Sequence, residues 1–279
     1  MHALILAAGR SALSAGTTPT CLVEVGGRPL LCHQVEAARA AGAQRVTVVT
    51  GHGHARVRKL MAGEIDIVLN ERYADTNSLY SFWLARHRVR GDVLVLSCDV
   101  LFPQHVLRGL LHRGSALAFD SRSGECGEHL KVSPDDGRLL AMSKDLPARD
   151  MDGENLGLLH LTHDVACAAF EAAAELLRRG SERDSLATAI NVVAARHPIA
   201  CVDVAGIPWV EIDHPRDLVA ARKKVWPAIA KLSSRSGALP RFPKTDRLLD
   251  GTLDRGGNVR ELGFSGERPV VPHFEPNPV

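Results

Sequence analysis

The amino-acid sequence predicts an α/β protein with a doubly wound, mostly parallel sheet and an inserted β-rich lid. Three observations support this prediction. Apolar β-branched runs alternate with helically spaced segments over the first 120 residues, which is typical of parallel strands joined by crossover helices. The run 92–97 is almost wholly apolar, as expected of a central strand buried on both faces. After Asp120 the pattern changes to a hairpin and further strands, which predicts the lid.

The first predicted strand, residues 3–6, runs directly into the small-residue turn Ala7-Ala8-Gly9-Arg10. A turn of this composition leaves backbone N–H groups uncovered, so an anion or a flat base can approach the main chain. The carboxyl end of the first strand is also where α/β proteins usually bind ligands. The pattern then predicts, in order, a helix at 30–41, a strand at 45–50, a helix at 55–61, a strand at 65–69 and a helix within 73–86.

The second half of the chain predicts a hairpin around the turn 134–137, a strand at 156–161, helices at 165–179 and 185–195, and a strand at 199–204. A last helix is predicted from Pro215 to about Ala230, with proline in its first turn. From Ser233 the composition shifts to Gly, Pro, Arg and Asp without apolar periodicity. We therefore predict a domain over residues 1–232 and a tail or linker over 233–279.

Composition excludes several classes of function. The 279 residues carry a formal net charge of +2, which gives no global electrostatic case for binding nucleic acid or an anionic membrane. The six cysteines are widely spaced and include no CxxC pair, which argues against a zinc site and favours a reducing compartment. We expect no signal peptide, because residues 1–3 lead directly into a predicted strand, and no membrane-spanning segment, because no apolar run approaches the required length. We expect a cytoplasmic protein, and the oligomeric state stays open, a homodimer included.

Three carboxylates stand where a cation site would form. Asp99 directly follows the central strand, at the sheet edge where ligand loops converge. Glu211 and Asp213 lie two residues apart on a short predicted strand, so their side chains point the same way. Mg²⁺ that bridges phosphates is usually held by one or two such carboxylates. The alternative for Asp99 and Asp213 is that each caps the helix that follows it.

Four segments, in the same order along the chain, resemble signatures of the nucleotidyltransferases that make nucleotide sugars and CDP-activated head groups. They are 6–10 (Leu-Ala-Ala-Gly-Arg) with 19–31 (Pro-Thr-Cys-Leu-Val-Glu-Val-Gly-Gly-Arg-Pro-Leu-Leu), 76–86 (Thr-Asn-Ser-Leu-Tyr-Ser-Phe-Trp-Leu-Ala-Arg), 97–102 (Ser-Cys-Asp-Val-Leu-Phe) and 209–218 (Trp-Val-Glu-Ile-Asp-His-Pro-Arg-Asp-Leu). The segment 76–86 resembles the phosphocholine-type cytidylyltransferases in particular. Shorter matches surround Lys131, Lys144 and Glu154.

The resemblance implies a Rossmann-like nucleotidyltransferase fold and Mg²⁺-dependent transfer of CMP from CTP to a small phosphate or phosphonate acceptor, with release of pyrophosphate. The residues that it implies are catalytic Arg10, Asp99, Lys131 and Asp213; nucleotide-binding Leu6, Ala7, Ala8, Gly9, Arg10, Thr76 and Asn77; acceptor-binding Lys144 and Glu154; and metal-binding Asp99, Asp213 and Glu211. Without the resemblance, either lysine would be interpreted as a surface residue and Glu154 as a loop carboxylate.

The loop between the first two matched segments departs from the family pattern. The family has a Gly-x-Arg sequence within the loop and Pro-Lys at its end, whereas this chain has Thr20 after Pro19 and neither cation. Two alternatives therefore stay open: a nucleotide-binding or regulatory homologue with weakened transfer, and a sugar-1-phosphate nucleotidyltransferase that uses another NTP. A dinucleotide-dependent oxidoreductase is poorly supported, because the turn is not GxGxxG.

Overall fold

A computed structural model describes residues 1–10, 13, 18–123 and 129–235 of the chain. These residues contain thirteen strands: β1 (His2–Ala7), β2 (Glu24–Val25), β3 (Arg28–Pro29), β4 (Arg45–Thr50), β5 (Asp66–Leu69), β6 (Val93–Ser97), β7 (Val100–Leu101), β8 (Ala116–Asp120), β9 (Lys131–Asp135), β10 (Arg138–Ser143), β11 (Gly153–Leu161), β12 (Ala200–Asp203) and β13 (Val210–Glu211). Strands β1, β4, β5 and β6 start and end within one residue of the sequence predictions, whereas the short strands β2, β3 and β7 were not predicted.

The same described ranges contain eight α-helices: α1 (Leu30–Ala40), α2 (His54–Leu60), α3 (Ser78–Leu84), α4 (His105–Leu111), α5 (His163–Arg178), α6 (Leu186–Ala194), α7 (Pro215–Ala220) and α8 (Trp226–Arg235). A π-helical turn, Ala221–Val225, joins the last two, so the helix predicted from Pro215 is present but divided. Short 3₁₀ turns occupy Thr20–Leu22, Ala85–His87 and Ala148–Asp150. None of the helices in this part of the chain is both long and apolar enough to cross a bilayer.

Nine of the strands form one sheet in the order β5-β4-β1-β6-β11-β8-β12-β10-β9. The four strands β5, β4, β1 and β6 are parallel, as the amino-terminal pattern predicted. Beyond β6 the sheet is mixed, because β11 runs antiparallel to both β6 and β8 while β8 and β12 are parallel. Since the chain passes from β1 to β4 on one side and later to β6 on the other, the loop after β1 lies at a switch point of the sheet.

Both faces of the sheet are covered, which explains why its strands read as continuous apolar runs. Along β1, Ala3 and Ile5 join one buried cluster with α1 and α4, whereas Leu4 joins a second cluster with α3, α5 and α6. This alternation follows from the period of two along a strand. The α/β, doubly wound architecture predicted from the sequence is therefore confirmed.

The predicted hairpin is formed by β9 and β10, joined by Asp136 and Gly137 with φ angles of 47° and 71°. Two consecutive left-handed residues are the mark of a type I′ turn, for which Asp-Gly is a favoured pair. The hairpin belongs to the main sheet, because β10 also pairs with β12 and β9 with β11. The β-rich insertion is thus continuous with the sheet on the side away from β1.

The predicted division at residue 232 stays a prediction. The chain separates into two units, Met1–Leu239 and Pro240–Val279. Helix α8 continues to Arg235, three residues past the predicted boundary, and residues 236–279 lie outside the described ranges. Residues 11, 12 and 14–17 of the departing loop lie outside them as well.

Candidate active site

The principal cavity lies at the carboxyl ends of β1 and β6 and has a volume of about 620 Å³. Three groups of residues form its walls: the bend after β1, the start of α3, and the ends of β6, β11 and β13. Of the sequence-predicted site residues, the following line it: Leu6, Ala8, Gly9, Arg10, Thr76, Asn77, Asp99, Lys144, Glu211 and Asp213. Segments more than 200 residues apart in the chain therefore contribute to one cavity.

The short strands β7 and β13 bring the predicted acidic residues together. They pair antiparallel, with Glu211 opposite Val100, and the Ile212 amide donates a hydrogen bond to the Asp99 carbonyl over 2.9 Å. Ile212 is fully buried in a small apolar cluster on the opposite side of the strand. Glu211 and Asp213 consequently face the cavity that Asp99 also lines, as their spacing of two residues predicted.

Burial, together with the neighbouring negative charges, disfavours the ionised forms of Asp99 and Glu211. Burial is the largest cause of a raised pKa at Asp99, and the negative charge of Asp213 adds to it. Burial also raises the pKa of Glu211 to about 9, with further contributions from Asp99 and Asp213, while Lys144 opposes the shift. Three acidic groups in one partly enclosed place are the electrostatic environment that a divalent cation stabilises.

Gln34, on α1, positions the turn that carries Asp99, and no sequence signal identified it. Its side chain is buried, and Nε2 donates hydrogen bonds to the carbonyl oxygens of Ser97 at 2.6 Å and Val100 at 2.9 Å. These two carbonyls flank Cys98 and Asp99, so the amide fixes the backbone on both sides of the carboxylate. In the sequence, Gln34 differs from its neighbours only as a polar residue on the apolar face of a predicted helix.

In the bend at the end of β1, Gly9 and Arg10 are exposed, whereas Ala7 and Ala8 are buried. Leu6, Ala8, Gly9 and Arg10 line the cavity, whereas Ala7 is buried in the core cluster beneath it. The Arg10 guanidinium carbon lies 5.7 Å from the centre of the Tyr73 ring, which also lines the cavity. Arg10 therefore supplies a positive charge at the rim of the bend.

The polar start of α3 is held by a hydrogen-bond network. Buried Asn70 donates through Nδ2 to the hydroxyls of Thr76 at 3.0 Å and Ser81 at 3.1 Å, and the Thr76 hydroxyl donates to the Arg72 carbonyl. Asn77 caps the helix by accepting a hydrogen bond from the Ser78 amide. Asn77 thus has a structural role in the helix, and both Thr76 and Asn77 also line the cavity.

The other predicted residues are divided between two places. Lys144 lines the principal cavity, but Lys131 does not, because its Nζ donates a hydrogen bond to the Leu146 carbonyl at 3.0 Å. Glu154 is 2% exposed and lies in a second cavity, of about 210 Å³, where its Oε2 is 3.0 Å from His129 Nδ1. Glu211 and Asp213 line both cavities.

His129 was not predicted as a site residue. The residue precedes β9, and its ligand nitrogen lies within 4.8 Å of carboxylate oxygens of Glu211 and Asp213. The sequence contains thirteen histidines, and no pattern in it marks His129 as a site residue.

Two curated relatives span most of this chain. The CMP-5'-(3-aminopropyl)phosphonate synthase of Streptomyces rubellomurinus is 30% identical over 274 residues, covering 89% of this chain and 43% of the relative. The bifunctional IPC transferase and DIPP synthase of Aquifex aeolicus is 29% identical over 212 residues, covering 74% and 46%. The chain thus spans somewhat less than half the length of these relatives.

Solved structures share the fold. The inositol-1-phosphate CTP transferase from T. maritima superposes with a TM-score of 0.68 at 21% identity, covering 86% of this chain and 98% of the other. The CTP:phosphocholine cytidylyltransferase of Streptococcus pneumoniae gives 0.65 at 20% identity, covering 77% and 95%. These similarities confirm the Rossmann-like nucleotidyltransferase fold.

The family model described as the MobA-like NTP transferase domain matches residues 3–243, which include every residue of the cavity described above. The relatives and the structural neighbours are nucleotidyltransferases of the cytidylyltransferase-like kind, which confirms the resemblance found in the sequence and the class of enzyme. This chain belongs to the MobA-like NTP transferase family.

Proposed function

We propose that the enzyme transfers CMP from CTP to a small phosphate or phosphonate acceptor and releases pyrophosphate, with Mg²⁺ as its cation. The observation that carries the proposal is the meeting of Asp99 and Asp213 in one cavity beside the bend after β1. The names of the relatives, a CMP-phosphonate synthase and an IPC transferase, agree with this chemistry.

The residues fit a hard divalent cation. Asp99 Oδ1 is buried and has no hydrogen-bond donor among the described residues. A buried oxygen in that condition is costly unless a cation or a bound molecule contacts it. Asp99 and Asp213 would hold Mg²⁺ with Glu211 beside them, and oxygen ligands of this type are those Mg²⁺ prefers. When bound, the cation neutralises charge on the phosphate oxygens.

The bend after β1 and the start of α3 would hold the nucleotide. Leu6, Ala8 and Gly9 present an apolar surface on which a base can lie, and Asn77 offers a polar group for its edge. Arg10 at the rim would attract the triphosphate. In this proposal Ala7 supports the bend from the core and does not contact the ligand.

The reaction needs one bond to form and one to break. An acceptor oxygen attacks the α-phosphorus of CTP, and the bond from that phosphorus to the bridging oxygen of pyrophosphate breaks. The acceptor oxygen is already an anion, so no general base is required. Catalysis then comes from positioning and charge neutralisation. Lys144, which lines the cavity, would bind the acceptor's charged group. Lys131 donates a hydrogen bond to the Leu146 carbonyl, and its catalytic role stays a prediction.

An apolar recess of about 90 Å³ beside the principal cavity bears on the acceptor. It shares seven lining residues with that cavity, four of which are polar: Leu6, Ser78, Ser97, Leu130, Asn155, Gly157 and Ser185. Its deeper walls are mostly aliphatic and include Leu117, Met142, Leu159 and Ile190. Hydroxyl groups would lose their hydrogen bonds to water there, whereas a short hydrocarbon chain would gain from burial. The recess therefore favours an alkyl phosphonate or an alkyl phosphate over a polyol phosphate.

A pyrophosphate-release assay with the purified chain tests the proposal. The four NTPs are combined with aminoalkylphosphonates, phosphocholine, inositol phosphate and a sugar 1-phosphate. We expect release only with Mg²⁺, with CTP, and with an alkyl acceptor. Asp99→Asn should reduce turnover by at least 100-fold, and Asp164→Asn, at an exposed helix position, should leave it unchanged. Release with a sugar 1-phosphate and another NTP would contradict the proposed substrates.

The altered loop favours a second candidate, a nucleotide-binding homologue without efficient transfer. Thr20 lines the cavity where the family pattern has lysine. Under this alternative CTP raises the melting temperature, but no acceptor gives pyrophosphate release above the rate of the Asp99→Asn variant. The same assay therefore separates the two candidates.

A further inference from the structure

We propose that His129, Glu211 and Asp213 form a second cation site that prefers a first-row transition ion, such as Mn²⁺ or Zn²⁺, to Mg²⁺. The site adjoins the Asp99 position and shares Asp213 with it. The proposal rests on the contacts of His129 and holds whichever nucleotide and acceptor the enzyme uses.

The imidazole of His129 is fixed in orientation. Its Nδ1 lies 3.0 Å from Glu154 Oε2, and the side chain of Glu154 is almost fully buried. A carboxylate accepts hydrogen bonds and does not donate them, so the proton of this pair belongs on Nδ1. The Trp209 ring, itself held by a 2.7 Å hydrogen bond from Nε1 to Asp120, has its centre 6.5 Å from that of the imidazole.

With a proton on Nδ1, the ring directs Nε2 towards the carboxylates. That nitrogen is 3.7 Å from Glu211 Oε2, which is too far for a hydrogen bond. A cation that contacts both atoms would occupy the space between them. A histidine oriented by a carboxylate, with its other nitrogen facing further carboxylates, is a recurrent arrangement around metals.

The distances suit a shared ion. The three ligand atoms lie within 4.8 Å of one another. Two ligands that are each about 2.1 Å from an ion are about 3.4 Å apart in a tetrahedron, so the 3.7 Å pair of His129 and Glu211 needs to close by about 0.3 Å and the widest pair by no more than about 1.4 Å. The second cavity, of about 210 Å³, opens onto all three residues and leaves room for water ligands.

The ligand set selects the ion. Mg²⁺ requires oxygen ligands in a nearly ideal octahedron, and an imidazole nitrogen suits it poorly. Imidazole with carboxylates suits Mn²⁺ and Zn²⁺. We assign Glu154 the role of a positioning residue that orients His129, in place of the acceptor-binding role that the family resemblance implied.

Mn²⁺ binding to the full-length, chelator-treated chain in the absence of nucleotide tests the site. Electron paramagnetic resonance gives the affinity, and pulsed measurements detect the coupling of a directly bound ¹⁴N nucleus. We expect this coupling in the wild type, also in the presence of millimolar Mg²⁺. His129→Gln should remove it and weaken Mn²⁺ binding at least tenfold. His112→Gln, at an exposed position outside the described cavities, should behave as the wild type.

Two further variants keep the test decisive if His129→Gln folds poorly. Glu154→Gln should keep the nitrogen coupling and weaken binding about tenfold, as expected for loss of an orienting carboxylate. Asp99→Asn should keep the coupling. Absence of nitrogen coupling in the wild type, or its persistence in His129→Gln, would overturn the proposal. Neither result depends on pyrophosphate release, so failure of this site and failure of the proposed transfer are distinguishable.

Discussion

At the scale of single residues, Gln34 offers a direct test of how the turn around Asp99 is held. Gln34→Met keeps the volume but removes the donor to the Ser97 and Val100 carbonyls. We expect a loss of roughly 2 kcal/mol of stability, since two partly buried carbonyls lose their donor. Turnover should fall tenfold or more, because the Asp99 backbone is then free to shift.

The measurements are urea unfolding and pyrophosphate release. Gln44→Met is the matched control, because Gln44 is exposed. If Gln34→Met turns over CTP at the wild-type rate, Gln34 does not position Asp99.

His2 makes stability depend on pH in a definite direction. Its ring is buried at the start of β1, with Nε2 2.8 Å from Thr47 Oγ1. Burial, followed by the charge of Arg45, lowers the pKa of His2 to about 4. In the unfolded chain the pKa is near 6.5, so between these values the unfolded state binds more protons and stability falls as the pH falls.

The His2→Gln variant isolates this effect, because the amide can still donate to Thr47 but does not titrate. Relative to the variant, the wild type should lose up to roughly 2 kcal/mol between pH 6.5 and pH 4, allowing for screening by solvent. Above pH 7 the difference in the free energy of unfolding between the wild type and the variant should not change with pH. Urea unfolding at pH 7.5, 5.5 and 4.5 measures it, and a difference that does not change with pH would contradict the assignment.

The residues that the sequence predicted and those that it missed differ in physical origin. Asp99 and Asp213 were predictable because each follows a strand, and strand ends converge at one sheet edge. Gln34 and His129 act across long separations, through contacts that leave no periodic signal. Lys131 was expected at the site from its motif, yet its amine is bonded to Leu146 within the hairpin region. Its catalytic role remains a prediction.

At the scale of elements, Gly157 keeps β11 close to the turn after β6. Its φ is 70°, and a Cβ atom there would lie 2.6 Å from Ser97 Cβ. Gly157→Ala therefore meets both backbone strain and a steric clash next to Asp99. We expect the free energy of unfolding to fall by about 2 to 3 kcal/mol and turnover to decrease strongly.

Thermal unfolding and the transfer assay measure both effects. Gly109→Ala is the control, because Gly109 lies within α4 with open space around its Cβ position. That variant should gain up to about 1 kcal/mol of helix stability at unchanged turnover. Wild-type stability in Gly157→Ala would show that β11 can move away from Ser97.

Sequence patterns predicted individual strands, helices and turns better than they predicted which strands pair with one another. The Asp136-Gly137 turn was predictable because a type I′ turn requires two left-handed residues, which Asp-Gly tolerates. The insertion of β12 between β8 and β10 was not predictable, because apolar alternation does not encode which strands pair. The π-helical turn after α7 was missed because it changes only the hydrogen-bond register within a continuous apolar pattern.

At the scale of the whole molecule, the segment after β12 links the end of the domain to its beginning. Arg222 donates through Nε to the Glu24 carbonyl at 2.9 Å, and Trp226 packs against Gly26, where a Cβ atom would overlap its ring. With Ile212, these contacts close an apolar cluster formed by both ends of the domain. Asp213 is thereby held in place by residues from the start of the chain.

This closure predicts where the chain can be shortened. Every predicted site residue, strand and helix described above lies within Met1–Leu239, a unit with its own core. We expect a chain that ends at residue 239 to retain the wild-type melting temperature and to release pyrophosphate within about twofold of the full-length rate. A chain that ends at residue 208 lacks Asp213 and exposes the apolar cluster, so it should lose turnover and melt many degrees lower. Calorimetry and the transfer assay on both truncations decide the point. Loss of turnover in the 239-residue chain at an unchanged melting temperature would assign a functional role to residues 240–279.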